Sequence, residues 1–390
     1  MKKMKTKFLA LLSIVILSSS CSDDNDPVIT TPPVTSNELS GNISSDVTLD
    51  ANIEYVLNGA LFVKDGATLT IPAGTTINAI AGGTDIYVLV ERGGKIMANG
   101  TATNPIKFTS SSLAPQAGDW GGIIINGRST ISKQAGSIGE AATEINNAIL
   151  FGGSSVNDSS GILNHVIIEF TGARIDDESE HNGLTLNAVG AGTTISNIYI
   201  RYSDDDAIEF FGGTVNVSNI LVVNCTDDMF DFSQGYSGTV TNVYGIREDL
   251  YFAVTVDPRG VEADGNLDGN SPTDIQQSNF TINGITIVNN AGGGTATMQD
   301  VFKIRRGAKA KITNAYVKFG AGTTPIDLID LKDGKGDADE MTSIEFSRNT
   351  ANGLDAAAIK NTTQGGATII ENSAQMGSNT NAFSWTGFTF

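Results

Sequence analysis

Between Ser203 and Tyr244 the chain repeats itself. DDAIEF at 205–210 returns as DDMFDF at 227–232, and SNILVV at 218–223 returns as TNVYGI at 241–246, each after roughly 22 residues. A period this short cannot enclose a core of its own, so successive copies must stack and share one. The same frame extends both ways. Leu184-Thr185-Leu186, Ile208-Glu209-Phe210, Phe230-Asp231-Phe232, Val261-Glu262-Ala263 and Phe302-Lys303-Ile304 each set two apolar residues around one outward side chain. A second register holds Asn164, Asn197, Asn219, Asn242, Asn283 and Asn314, each leading into a short β-rich run. Stacked at the inter-strand spacing of about 4.8 Å, these six predict a ladder of side-chain amides at a tight corner.

Composition agrees with an all-β chain: 44 Gly, only 9 Pro, 17% charged residues and almost no helical periodicity. The expected fold is an all-β solenoid of about 22-residue coils with insertions. Residues 1–20 stand outside it. Lys2, Lys3, Lys5 and Lys7 form a positive region, residues 8–17 an apolar one too short to span a membrane, and Ser18-Ser19-Ser20 a small-residue site before Cys21. This resembles a lipoprotein signal, with cleavage before Cys21 and lipid on its thiol, although Ser18 stands where an aliphatic residue is usual. Residues 21–40 read as the lipidated cysteine and a flexible tether rich in Pro, Thr, Ser and Asp, and residues 41–390 as the solenoid domain. The tail FSWTGFTF is expected to pair with, or cap, the last coil.

The precursor carries a formal charge of −19, and removing the four lysines of residues 1–20, which contain no acid, leaves −23. Such a surface argues against nucleic-acid partners and favours divalent cations. With Cys21 lipidated, Cys225 has no partner for a disulfide and reads as a small buried filler.

Two interruptions of the register, 110–161 and 248–279, are expected to shape a binding surface. Trp120 in the first is a candidate sugar platform or a structural plug, and Glu262 and Asp264 in the second are candidate ligand-binding residues. The outward column of Thr185, Glu209, Asp231, Glu262 and Lys303 is flanked by Asp205-Asp206 and Asp227-Asp228. Carboxylates about 5 Å apart raise one another's pKa. Three remedies stay open: a Ca²⁺ ion on Asp205, Asp206, Glu209, Asp227, Asp228 and Asp231; an ion-pair network with Lys303, Arg259, Arg305 and Arg306; or a protonated carboxyl acting as an acid.

DWGGIIINGR, HVIIEFTGA, NGLTL, DDAIEFFGG and DDMFDFSQG together resemble the right-handed parallel β-helix proteins, which include pectate lyases and polygalacturonases, and more closely the β-helix lipoproteins of Bacteroidetes outer membranes. SDDND after Cys21 is similar to the acidic tag that sends such lipoproteins to the cell surface. The resemblance implies that the solenoid is a right-handed parallel β-helix, and it implies an outer-membrane, outward-facing anchored protein that captures a glycan or nutrient, with a polysaccharide ligand and a TonB-dependent transporter as partners. Polygalacturonases also carry a His-Gly element downstream, and neither His165 nor His181 lies there. A Ca²⁺-dependent uronate lyase, with Arg259 or Lys303 as base beside Glu262, is the enzymatic alternative, and a structural adhesin is the other.

Overall fold

The computed structural model describes residues 36–174, 180–251, 255–291, 298–320, 323–349, 358–360 and 366–390. The signal segment, Cys21 and most of the tether lie outside the described residues.

Parallel strands stack coil on coil into one hydrogen-bonded sheet of 24 strands, and isolated bridges apart, the one antiparallel strand pair among the described residues is a hairpin, Glu140–Thr143 with Asn146–Gly152. This is the solenoid that the repeat predicts, wound as the parallel β-helix that the resemblance implies. Long strands such as Thr194–Ser203, Val217–Cys225 and Thr239–Arg247 bend near their start and so build two of its faces. Short strands, Leu184–Asn187, Ile208–Phe211, Phe230–Ser233 and Arg259–Asp264, build the third. The first strand, Glu38–Ile43, pairs with Tyr55–Val63, so the sheet begins inside the segment read as tether.

The bend is a left-handed residue. His165, Asn197, Asn219, Asn242, Gly284 and Asn314 all have φ between 49° and 80°, a region that asparagine tolerates and glycine enters freely. The amide ladder runs through part of this corner: Asn164 to Asn99 at 2.9 Å, Asn197 to Asn164 at 2.8 Å, Asn219 to Asn197 at 3.0 Å and Asn242 to Asn219 at 2.8 Å. Two of the six expected rungs are displaced. Asn164 and Asn283 precede the corner by one position, because Asn164 pairs with Ser196 and Asn283 with Thr241 and Thr313. Asn314 sits at the corner, but its oxygen accepts from the backbone N–H groups of Met376 and Gly377.

The interior is filled by the inward residue of each triplet. Phe210 stacks on Phe232 at 4.8 Å between ring centroids, and Phe232 on Phe280 at 4.4 Å. Trp120 belongs to this core: it is fully buried, it stacks on Phe108, and its Nε1 donates to the Glu169 carbonyl at 2.8 Å. The sugar-platform reading is therefore corrected. The cause is local, since Gly122 at φ 122° and a register shift between Gly83 and Tyr87 break the in–out alternation of Trp120–Asn126.

The tail caps no coil end. Residues 376–390 run back across the outside of the long strands as a strap, with Phe383 buried against Ile167, Tyr199, Leu221 and Tyr244. Along the way Ser378 Oγ donates to the Val243 carbonyl, and the Asn379 N–H donates to Asn242 Oδ1 at 2.6 Å.

Candidate functional site

The outward column is continuous. Ile124, Thr185, Glu209, Asp231, Glu262, Lys303 and Asp330 are partners in successive coils on the third face. Its upper end is apolar and covered: the hairpin lays Ile145 and Ile149 over Leu89 and Ile124. Its lower end alternates in charge. Between them the column opens into a cleft of about 380 Å³.

All six predicted metal-ligating residues, Asp205, Asp206, Glu209, Asp227, Asp228 and Asp231, line this cleft. The chain positions them through the stack itself. Asp206 Oδ1 accepts the backbone N–H of Asp228 at 2.7 Å, and Asp228 Oδ1 accepts that of Arg259 at 2.6 Å. Each second aspartate of a DD pair thus pins the turn of the next coil, which is why the pair recurs with the repeat. Asn182 Nδ2 fixes Glu209 at 2.6 Å, and Thr255 Oγ1 fixes Asp227 at 2.9 Å. One oxygen of Asp231 is enclosed without a hydrogen-bond partner.

Two triads emerge, Asp205–Asp206–Asp227 and Asp206–Glu209–Asp231, each with one oxygen per residue within 4.8 Å of the others. Oxygens that share a calcium ion at about 2.4 Å lie at most about 4.8 Å apart. The donors are all hard oxygens, so the set fits that ion. Burial first, and then the neighbouring carboxylates, hold Asp206, Glu209, Asp228 and Asp231 well above the usual carboxylate range. For Asp205, burial and Glu180 act in the same direction, against the guanidinium of Arg174 3.5 Å away. Burial pushes Asp227 up to about 6.

The walls come from the two interruptions of the register, 110–161 and 248–279, although no sequence signal singles out the residues that form them. Glu144, at the hairpin tip, hangs over the mouth; it stays open to solvent by area, yet the protein packed around it, then Asp268 and Glu180, push it up to about 8. Opposite stands the short 3-10 turn Leu267–Gly269. The two insertions also meet through paired backbone bonds between Lys133 and Ile275. No repeat signal marks such contacts.

Glu262, Asp264 and Arg259 line the same cleft but are engaged in ion pairs, and Lys303 lies outside it. Glu262 is clamped by Arg259 and Arg305, and Asp264 by Arg305 at 2.8 Å and Arg306 at 2.5 Å. The ion-pair network expected from the sequence is thus formed at both residues, which also face the cleft. Arg259 also faces Asp257 at 2.6 Å, Asp300 at 3.4 Å and Asp228 at 3.6 Å. Burial alone would lower its pKa, but these carboxylates raise it, a direction opposed to service as a base. Lys303 is buried outside the cleft, 2.8 Å from Asp330 and 2.8 Å from the Lys332 carbonyl. A third close triad, Asp300–Asp327–Asp330, is answered by Lys303 and by Lys360, 2.6 Å from Asp327. Cys225 is fully buried, and burial pushes its thiol up to about 12, as befits a filler. Among the described residues, no helix is long and apolar enough to cross a membrane.

Fold and site together define a parallel β-helix protein with an acidic cleft on its short-strand face. The chain matches the family model of the pectate-lyase like beta helix domain over residues 41–389, and it belongs to that family. No curated protein and no solved structure matches it.

Proposed function

We propose that the protein is a surface lipoprotein of the bacterial outer membrane, of the Bacteroidetes kind, that captures glycan through a calcium-dependent cleft on its β-helix. The observation that carries this reading is the pair of carboxylate triads sharing Asp206. A bound calcium ion would supply open coordination positions for the hydroxyl or carboxylate oxygens of a sugar. Asp205, Asp206, Glu209, Asp227 and Asp231 would hold it, with Asp228 closing the stack. Asn182 and the backbone donors of Asp228 and Arg259 keep these carboxylates in place, and the hairpin tip and the Leu267–Gly269 turn wall the ligand in.

Binding is favoured over β-elimination because Arg259 and Lys303, the two candidate bases, are each held in ion pairs. The anchor rests on Lys2, Lys3, Lys5, Lys7 and the small-residue site before Cys21, and the outward orientation on SDDND after it. More than one acyl chain on Cys21 gives stable anchoring, at about 0.8 kcal/mol per buried methylene. A TonB-dependent transporter is the partner such a tethered capture protein would serve.

A glycan array probed in calcium and in chelator tests the capture role; retention that is the same in chelator contradicts it. Membrane fractionation of Cys21→Ser tests the anchor, and a variant that stays with the membrane contradicts lipidation.

A further inference from the structure

Beneath the hairpin lies a second, smaller recess of about 30 Å³, walled by Ile124, Ala142, Ile145, Phe151, Phe211 and Leu267. That is roughly twice what one water requires, and its walls are mainly apolar. It is not separate from the cleft, for Glu144, Glu180, Phe211 and Leu267 line both.

Two buried polar side chains here lack partners. Asn187 lines the recess and is 2% exposed; its Nδ2 donates to Asn126 Oδ1 at 2.9 Å, while its enclosed Oδ1 accepts nothing. Ser233 is 6% exposed and lines the cleft, and its Oγ is equally unpartnered. Unmet buried groups of this kind are uncommon and cost stability, so each calls for an explanation. They are also ordered with respect to each other. Asn187, Phe211 and Ser233 hold one register position in three successive coils, so an acceptor and a hydroxyl flank a flat aromatic side chain across two steps of the stack, roughly 10 Å between backbones.

We infer that this recess is a subsite for an acetamido group, and that the glycan captured by the cleft carries an N-acetylated amino sugar. The planar amide lies over Phe211, its N–H donates to Asn187 Oδ1, its carbonyl accepts from Ser233 Oγ, and its methyl fills the apolar recess. A plain hydroxyl in that position satisfies neither the apolar walls nor both polar atoms. A propionyl group is one methylene larger than the group the recess is inferred to hold. This inference rests on reading the cleft as a glycan site.

The test titrates the whole protein with N-acetylglucosamine, glucose and N-propionylglucosamine, each in calcium and in chelator, by calorimetry and saturation-transfer NMR. N-acetylglucosamine is expected to bind about tenfold or more tightly than glucose, the scale on which one methyl in a fitted pocket discriminates, with strongest transfer to the acetyl methyl. N-propionylglucosamine and the recess-filling variant Ala142→Leu, its fold checked by melting, are expected to return affinity to the glucose level. Equal affinity for N-acetylglucosamine and glucose, or no binding of N-acetylglucosamine, overturns the inference and leaves the recess to water. Calcium titrated alone separates the outcomes: absent heat refutes the metal reading, while the acetyl preference in chelator stands or falls by itself.

Discussion

Replacing Asn219 tests the corner that closes every coil. Its Nδ2 donates to Asn197 at 3.0 Å and its Oδ1 accepts from Asn242 at 2.8 Å, and its backbone sits at φ 56°. Asn219→Ala removes two hydrogen bonds, about 1 kcal/mol each, and leaves half-buried Asn197 Oδ1 without its donor, while Asn242 Nδ2 keeps only a long bond to the Asn379 carbonyl at 3.4 Å. It also forces a Cβ into the left-handed region without a polar side chain to favour it, about 1 kcal/mol more. The expected loss is about 3 kcal/mol. Asn219→Gly loses the same bonds but not the conformational freedom, for a loss of about 2 kcal/mol, and Gly284 already occupies this corner in a later coil. The informative result is the order. In most strands glycine is the more damaging substitution; here alanine should be. Equilibrium urea denaturation followed by circular dichroism measures both, and a glycine variant less stable than the alanine variant would refute the argument.

Other outcomes follow from the same structure. Carboxyl groups with raised folded-state pKa values hold extra protons when folded, so metal-free stability should fall as pH rises from about 4, through the Asp227 value of about 6, towards the Glu144 value of about 8. Melting in chelator that improves across this window contradicts the cleft electrostatics, and excess calcium should flatten the slope. Arg305→Met strips Glu262 and Asp264 of a shared partner and should cost about 3–5 kcal/mol by urea denaturation, whereas a neutral outcome would mean the network is dispensable. Phe383→Ala should cost about 3–5 kcal/mol if the strap is part of the cooperative fold, and protease cutting of the tail with no change in the melt would show that it is not.

The third face was legible because its signal is periodic: a triplet with one outward residue recurs, and Thr185, Glu209, Asp231, Glu262 and Lys303 are indeed successive partners. The clustering of the DD pairs follows from the same period. Where a glycine breaks the alternation, pattern alone leaves two readings open, as at Trp120 beside Gly122, where burial bears out the structural plug and not the sugar platform. The corner was misplaced by one at Asn164 and Asn283, since sequence shows which residues are asparagine but not which takes positive φ. Glu144 and the Leu267–Gly269 turn could not be connected, because two insertions far apart in the chain meet there without any shared register. The division of the acidic column into an open upper part and an arginine-locked lower part depends on where Arg259, Arg305 and Arg306 reach, and spacing does not encode that.

The most direct measurement is calorimetric titration of calcium into the protein and into the double variant Asp206→Asn with Asp231→Asn. Saturable binding in the native chain, with a raised melting temperature, and its loss in the variant is the predicted result. Absence of binding, or equal binding by both, would contradict the assignment of the cleft as a cation site and leave it a solvated acidic face.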